Sequence, residues 1–115
     1  MFGYNTVSFD AKGRFSIPAR YRTDFKCHND SNIVITKDPQ YPSLKIYSGF
    51  EWKNISTKLQ SLQSLDPIVR NIQWTILGNA HETNIDISGR MLIRIPNDLQ
   101  KYAEIEDKKQ IALVG

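Results

Sequence analysis

The stretch Asp10-Ala11-Lys12-Gly13-Arg14-Phe15-Ser16-Ile17-Pro18 places a polar turn between two runs of alternating polar and apolar residues. Thr6 to Phe9 alternates before the turn, and Phe15 to Ile17 resumes the alternation after it. This pattern predicts two strands joined as a β-hairpin. Gly13 can adopt the positive φ that a tight turn requires, and the Asp10 carboxylate can accept hydrogen bonds from the backbone N–H groups that follow it.

The motif occurs a second time, 76 residues further along the chain. Asp10, Gly13 and Arg14 correspond to Asp86, Gly89 and Arg90. A two-residue shift then aligns Pro18 with Pro96. An internal repeat of this kind predicts two copies of one small β-rich unit.

Each proline is followed by a predicted short helix and then by a predicted strand. The helices are Ala19 to Phe25 and Asn97 to Glu104, and the strands are Asn32 to Thr36 and Ile111 to Val114. The first copy continues into a further strand, Leu44 to Tyr47, for which nothing follows Gly115 as a match. We expect the second copy to have an exposed strand edge that a partner subunit could cover.

The middle of the chain is predicted to be helical. Glu51 to Leu65 carries apolar residues at helical spacing, and Asp66-Pro67 supplies an N-cap and a first-turn proline for a second helix that ends at Gly78. Trp52 and Trp74 are interpreted as packing anchors of these helices. We therefore expect an α+β chain, mainly β, with a first repeat at 1–50, a helical connector at 51–80 and a second repeat at 81–115 that lacks its last strand.

Composition restricts the functional classes. The 115 residues exclude a large catalytic scaffold. Fifteen Lys and Arg against twelve Asp and Glu give a net charge of +3, with the basic excess concentrated between Lys12 and Lys26. This local excess is compatible with a polyanionic partner.

The titratable residues do not form a recognisable catalytic or metal set. A single cysteine, Cys27, cannot form an intramolecular disulfide, and neither His28 nor His81 has a second metal ligand at a convincing spacing. We predict no catalytic residue, no metal and no cofactor. The sequence shows no signal peptide and no apolar run long enough to cross a bilayer. We therefore expect a cytoplasmic protein with no membrane partner and no small-molecule substrate.

The twin motifs resemble the paired DxxGR signature of the MraZ family. The resemblance continues through Ala19-Arg20-Tyr21-Arg22, through the passage from Tyr47 to Trp52, and through Leu77-Gly78-Asn79-Ala80. It implies a swapped-hairpin β-barrel like that of AbrB, and ring-shaped homo-oligomers. It also implies a nucleoid-associated transcriptional regulator that binds short direct repeats in double-stranded DNA, upstream of the division and cell-wall gene cluster and including its own promoter.

In that resemblance, Arg14 is the DNA-contacting residue of the first loop, with Lys12 beside it. Arg90 has the equivalent place in the second loop, where Ser88 replaces the lysine and leaves the loop less basic. Arg20 and Arg22 are candidate phosphate contacts, or else the solvated face of a short helix. Asp10, Gly13, Asp86 and Gly89 are interpreted as structural turn residues.

Two other functional classes remain as alternatives. The first is an antitoxin-like protein-interaction module, whose barrel would bind DNA weakly while its helices hold another protein. The second is a small enzyme, which the absence of a nucleophile–base pair, a metal set and a glycine-rich phosphate loop disfavours.

Overall fold

The computed structural model describes residues 4–19, 21–23, 31–85, 89, 91–105 and 110–114. Within them the elements follow the order β1 (Tyr4–Ser8), β2 (Arg14–Ser16), β3 (Asn32–Lys37), β4 (Leu44–Ser48), α1 (Gly49–Ser61), α2 (Pro67–Gly78), β5 (His81–Asn84), β6 (Leu92–Arg94), α3 (Asn97–Tyr102) and β7 (Gln110–Val114). Ala19 and residues 21–23 are also helical. The predicted α+β class is confirmed.

The strands form antiparallel sheets that join the two ends of the chain. β1 pairs with β7, β2 pairs with β6, and β3 lies between β4 and β5. The predicted hairpin is therefore wrong in its pairing, because β1 and β2 flank the turn but each pairs with a strand from the C-terminal part. The described residues form these separate sheets and contain no closed barrel.

The sheet registers obey the sequence repeat. Val7 pairs with Ile111 between β1 and β7, and Thr83 pairs with Ile33 between β5 and β3. Thr83 lies 76 residues after Val7, and Ile111 lies 78 residues after Ile33, which are the two offsets found in the sequence. The two pairings are therefore equivalent, and in each of them the first strand of one copy pairs with a later strand of the other copy.

The β2–β6 pairing lies at the centre of this relation. Ser16 pairs with Leu92, and these two residues are themselves related by the offset of 76. The neighbouring pair Phe15 and Ile93 is matched by Ile17, whose N–H donates to the carbonyl of Met91 at 3.2 Å. A pseudo-twofold axis therefore passes between Ser16 and Leu92.

The core surrounds the β2–β6 pair. Phe15 and Ile93 are buried at the centre of these short strands, and the core continues into β3, the turn before α3, and α3 itself. Its members are Val7, Phe15, Ile17, Tyr21, Ile33, Ile35, Ile85, Met91, Ile93, Ile95 and Leu99. Both repeats supply core residues, so burial of apolar surface favours their association.

The central helices match the prediction at one end and differ at the other. α2 begins at Pro67 and ends at Gly78 as predicted, with the Asp66 carboxylate accepting from the N–H of Ile68 at 2.9 Å. α1 begins at Gly49, because the Ser48 hydroxyl accepts from the N–H of Glu51 at 3.2 Å and caps the helix earlier than expected. It ends at Ser61, and the predicted continuation to residue 65 is extended chain.

The two helices leave an apolar surface uncovered. Leu62, Leu65, Ile68 and Trp74 are 50–92% exposed, and we call this set the apolar helix surface. The interpretation of Trp74 as a packing anchor is therefore wrong, whereas Trp52 is half-buried and its ring centroid lies 5.8 Å from that of Tyr47. No helix in the described part of the chain is long and apolar enough to cross a bilayer.

A buried hydroxyl joins β3 to the end of α2. Thr36 is fully buried, and its Oγ1 donates to the carbonyl of Ile76 at 2.7 Å. Carbonyls in the last turn of a helix have no partner within the helix, so the Thr36 hydroxyl satisfies a group that would otherwise be buried without a hydrogen bond. The side chain of Asn79 acts similarly on the carbonyl of Thr75 at 2.9 Å.

We predict that Thr36→Val lowers the free energy of unfolding by about 1–3 kcal/mol, because the Ile76 carbonyl loses its donor while the side-chain shape is kept. Urea denaturation followed by circular dichroism measures the change. Thr57→Val is the matched control, since the exposed Thr57 hydroxyl bonds to the Lys53 carbonyl within α1. Equal stability of the two variants would contradict the prediction.

Candidate nucleic-acid interface

The turn between β1 and β2 is closed by both the backbone and the side chain of Asp10. The Asp10 N–H donates to the Arg14 carbonyl at 2.7 Å, and the Asp10 carbonyl accepts from the Gly13 N–H at 3.0 Å. Asp10 Oδ1 also accepts from the N–H groups of Lys12 and Arg14, each at 2.9 Å. Gly13 has a φ of 75°, a conformation that side chains other than glycine disfavour.

The second carboxylate oxygen of Asp10 holds the Arg14 guanidinium. Asp10 Oδ2 lies 3.1 Å from Nε and 3.0 Å from Nη2 of Arg14. These contacts use two of the five guanidinium N–H groups and leave three that do not bond to Asp10. Because the Arg14 side chain is only 35% exposed and held at two nitrogens, its orientation is restricted before any ligand arrives.

These hydrogen bonds lower the pKa of Asp10 below its ordinary value of 3.8. The backbone N–H of Arg14 contributes most, partial desolvation opposes it, and the Arg14 side chain and the Lys12 N–H add to the lowering. Asp10 therefore stays ionised at neutral pH, and the Asp10–Arg14 ion pair is intact there.

Two other predicted cations lie near this turn. Lys12 is exposed in the turn itself, and within the described residues it makes no ion pair. Arg22 is partly buried, and its Nε donates to the Ile17 carbonyl at 2.7 Å while Nη2 donates to Ser16 Oγ at 2.9 Å. Both Arg22 contacts are to neutral oxygens, so neither offsets its charge.

Arg94 adds a cation that the sequence analysis did not single out. It is exposed at the end of β6, and its Cα is the direct partner of the Arg14 Cα in the β2–β6 register. The only local signal is the alternation Ile93-Arg94-Ile95, which indicates an outward side chain but does not reveal which residue lies opposite.

The remaining predicted residues are only partly visible. Gly89 is exposed in a turn, whereas Asp86, Arg90 and Arg20 lie outside the described residues, as do Cys27 and His28. His81 lies 3.2 Å from the Asp98 carboxylate, in an exposed contact between β5 and α3. Across the described residues, no group of three His, Cys, Asp or Glu side chains is arranged to hold a metal ion.

The fold and this turn together define a small α+β protein in which two sequence repeats exchange strands and a carboxylate holds an arginine beside exposed lysine. The sequence profile of one family, described as "MraZ protein, putative antitoxin-like", matches residues 1–74. The chain belongs to the MraZ family.

Full-length relatives agree with this assignment. The Transcriptional regulator MraZ of Shewanella piezotolerans is 41% identical over 113 residues, which cover 98% of this chain and 72% of the relative. The Transcriptional regulator MraZ of Azotobacter vinelandii is 42% identical over the same shares of both chains. That of Coxiella burnetii is 41% identical, again over 113 residues.

We predict that an NMR titration of the Asp10 carboxyl carbon gives a pKa below 3.8. Arg14→Ala should raise that pKa only part of the way, because the backbone N–H of residue 14 still donates. Lys12→Ala is the control and should leave it unchanged, since the backbone N–H of residue 12 is kept.

The same pKa shift gives a sign for the pH dependence of stability. The folded-state pKa is depressed, so the contribution of Asp10 is fully present above about 3.8 and is lost as the pH falls through the lower folded value. An Asp10 pKa at or above 3.8, or one that does not respond to Arg14→Ala, would contradict this account of the turn.

Proposed function

We propose that this protein is a sequence-specific DNA-binding transcriptional regulator. The observation that carries the proposal is the Asp10–Arg14 turn, in which an arginine is held at two nitrogens and keeps three N–H groups for a ligand. The names of its relatives, which describe transcriptional regulators, support it. The proposal assigns no catalytic residue, cofactor or small-molecule substrate to the chain.

In this proposal Arg14 reads a base and its neighbours bind phosphate. A guanidinium can donate two parallel hydrogen bonds to O6 and N7 of guanine in the major groove. Lys12 and Arg22 would contact phosphates, which position the protein without carrying sequence information. Arg22 keeps three N–H groups beyond its contacts to Ser16 and Ile17.

The second copy of the motif receives the same roles. Arg90 would act as Arg14 does, and Arg20 would be a further phosphate contact. Asp86 and Gly89 would form their turn as Asp10 and Gly13 form the first. Two loops bound to two DNA repeats reinforce each other, because the first contact raises the effective concentration of the second.

The proposed target is a set of short direct repeats upstream of the division and cell-wall gene cluster, including the protein's own promoter. The protein would then act in the cytoplasm in association with the nucleoid. The proposed architecture is an AbrB-like swapped-hairpin barrel, with repeats at 1–50 and 81–115 joined by the connector at 51–80. The equivalent β1–β7 and β5–β3 registers support this division.

We further propose that the protein forms ring-shaped homo-oligomers through the apolar helix surface. Exposed contiguous apolar residues are typical of protein interfaces, and Leu65 is 92% exposed while Ile68 is 71% exposed. The same surface favours the second candidate function, an antitoxin-like interaction module that holds a different protein.

We predict that Arg14→Ala abolishes the preference for DNA carrying the direct repeats upstream of this protein's own gene. Loss of one bidentate base contact removes about 1–3 kcal/mol of discrimination, or about 5- to 150-fold. Fluorescence anisotropy with that duplex and a scrambled duplex measures the ratio of the two affinities. Lys53→Ala, which removes an exposed charge from α1, is the control.

Two outcomes would count against the regulator. Equal, salt-sensitive binding of the wild type to both duplexes would leave only a nonspecific basic surface. Absence of binding to either duplex would favour the interaction module. Retention of the full preference by Arg14→Ala would reject Arg14 as the base-reading residue.

For the oligomer, we predict that the double variant Leu65→Ser, Ile68→Ser has a lower molar mass in light scattering after size exclusion. Its folding should change by less than about 1 kcal/mol, because both side chains are exposed in the protomer. Gln60→Ser, an exposed polar change on α1, is the control. A monomeric wild type, or a double variant of unchanged mass, would contradict the ring.

A further inference from the structure

We propose that Arg94 is a second DNA-contacting residue, one that binds the phosphate backbone beside the base that Arg14 reads. The inference rests on the proposed DNA-binding function and extends it to β6, outside both DxxGR motifs. It starts from the juxtaposition of Arg14 and Arg94 in the β2–β6 ribbon.

The two arginines lie on the same face of the ribbon. Phe15 and Ile93 are the buried middle residues of β2 and β6, so the residues on either side of them point away from the core. Directly opposed residues of an antiparallel pair share a face, with Cβ atoms about 4.5–5.5 Å apart. Arg14 and Arg94 are such a pair, and both therefore lie on the outer face.

A third guanidinium lies on this outer face. Ser16 is also an outward residue of β2, and its Oγ accepts from Nη2 of Arg22 at 2.9 Å. The outer face of a two-stranded ribbon, each strand three residues long, thus carries the positive charge of Arg14, Arg22 and Arg94.

The one acid placed on this face by a described contact is already used. Both oxygens of Asp10 are occupied, Oδ1 by two backbone N–H groups and Oδ2 by Arg14. In the described part of the chain Arg94 forms no ion pair with any carboxylate. Like charges directly opposite each other across strands destabilise a sheet, so the folded protein alone does not explain an arginine at position 94.

A phosphate backbone accounts for this arrangement. Duplex DNA carries a negative charge about every 1.7 Å along its axis, which matches cations spaced a few ångströms apart. Arg14 is held by Asp10 and has a restricted orientation, which suits a base edge. Arg94 is exposed and unheld by any carboxylate, which suits a phosphate whose position varies little with sequence.

The test compares Arg94→Gln and Arg94→Lys with the wild type, on the repeat-carrying duplex and on the scrambled duplex, over a series of salt concentrations. Arg94→Gln should weaken binding to both duplexes by a similar factor, about tenfold near 0.1 M salt for one phosphate contact per subunit. The slope of log K against log salt should become shallower by about 1 per contact. Arg94→Lys should restore most of the slope.

The controls separate this inference from the proposal beneath it. Lys53→Gln removes the same charge from α1 and should leave the slope close to that of the wild type. Arg94→Gln should unfold at no lower temperature than the wild type, because the change removes a repulsion and no described contact. Weaker binding without loss of folding therefore reports a contact to DNA.

Each result has a defined meaning. If the wild type does not bind either duplex, the DNA-binding function itself fails. If the wild type binds and Arg94→Gln matches Lys53→Gln in affinity and salt slope, the function stands and Arg94 is not a contact. If Arg94→Gln loses only the preference for the repeats, its role as a phosphate contact is overturned in favour of base reading.

Discussion

The antiparallel pairing of β2 with β6 joins two copies of a motif that neither copy could stabilise alone. Each strand has only three residues and one fully buried side chain, Phe15 or Ile93, so an isolated strand buries too little apolar surface to offset the entropy of ordering its backbone. Pairing them across the pseudo-twofold axis lets both repeats line one core. The β1–β7 and β5–β3 pairs then extend the same relation outward on either side.

This central ribbon also determines the properties of the basic turn. The turn begins where β1 ends and finishes where β2 enters the core, so the burial of Phe15 anchors one side of it. Asp10 organises the rest, because one carboxylate accepts from two backbone N–H groups and from the Arg14 guanidinium. An arginine held in this way loses less conformational entropy when it binds than a freely rotating one would.

Features governed by neighbours in sequence were accessible from the sequence, and those governed by distant contacts were not. Asp66-Pro67 predicted the start of α2, and the positive φ of Gly13 followed from its place in the turn. The early start of α1 was missed although Ser48 and Glu51 have capping-box spacing. The hairpin was assigned wrongly because local alternation does not identify a strand's partner, and position 94 gained interest only when the register placed it opposite Arg14. Trp74 fits a helical pattern equally well on a covered or an uncovered face, so its exposure was not predictable.

The strand exchange has a consequence for how the chain reaches its native state. Tyr4 pairs with Val114, and the turn residues near the start of the chain join a ribbon completed only at Arg94. Closing such long loops costs entropy before the contacts repay it, and a high separation of contacts along the chain slows folding. During synthesis, the N-terminal strands leave the ribosome long before their partners exist. They therefore spend that interval with open edges and exposed apolar side chains, when a second nascent copy competes with the chain's own C-terminal strands for pairing.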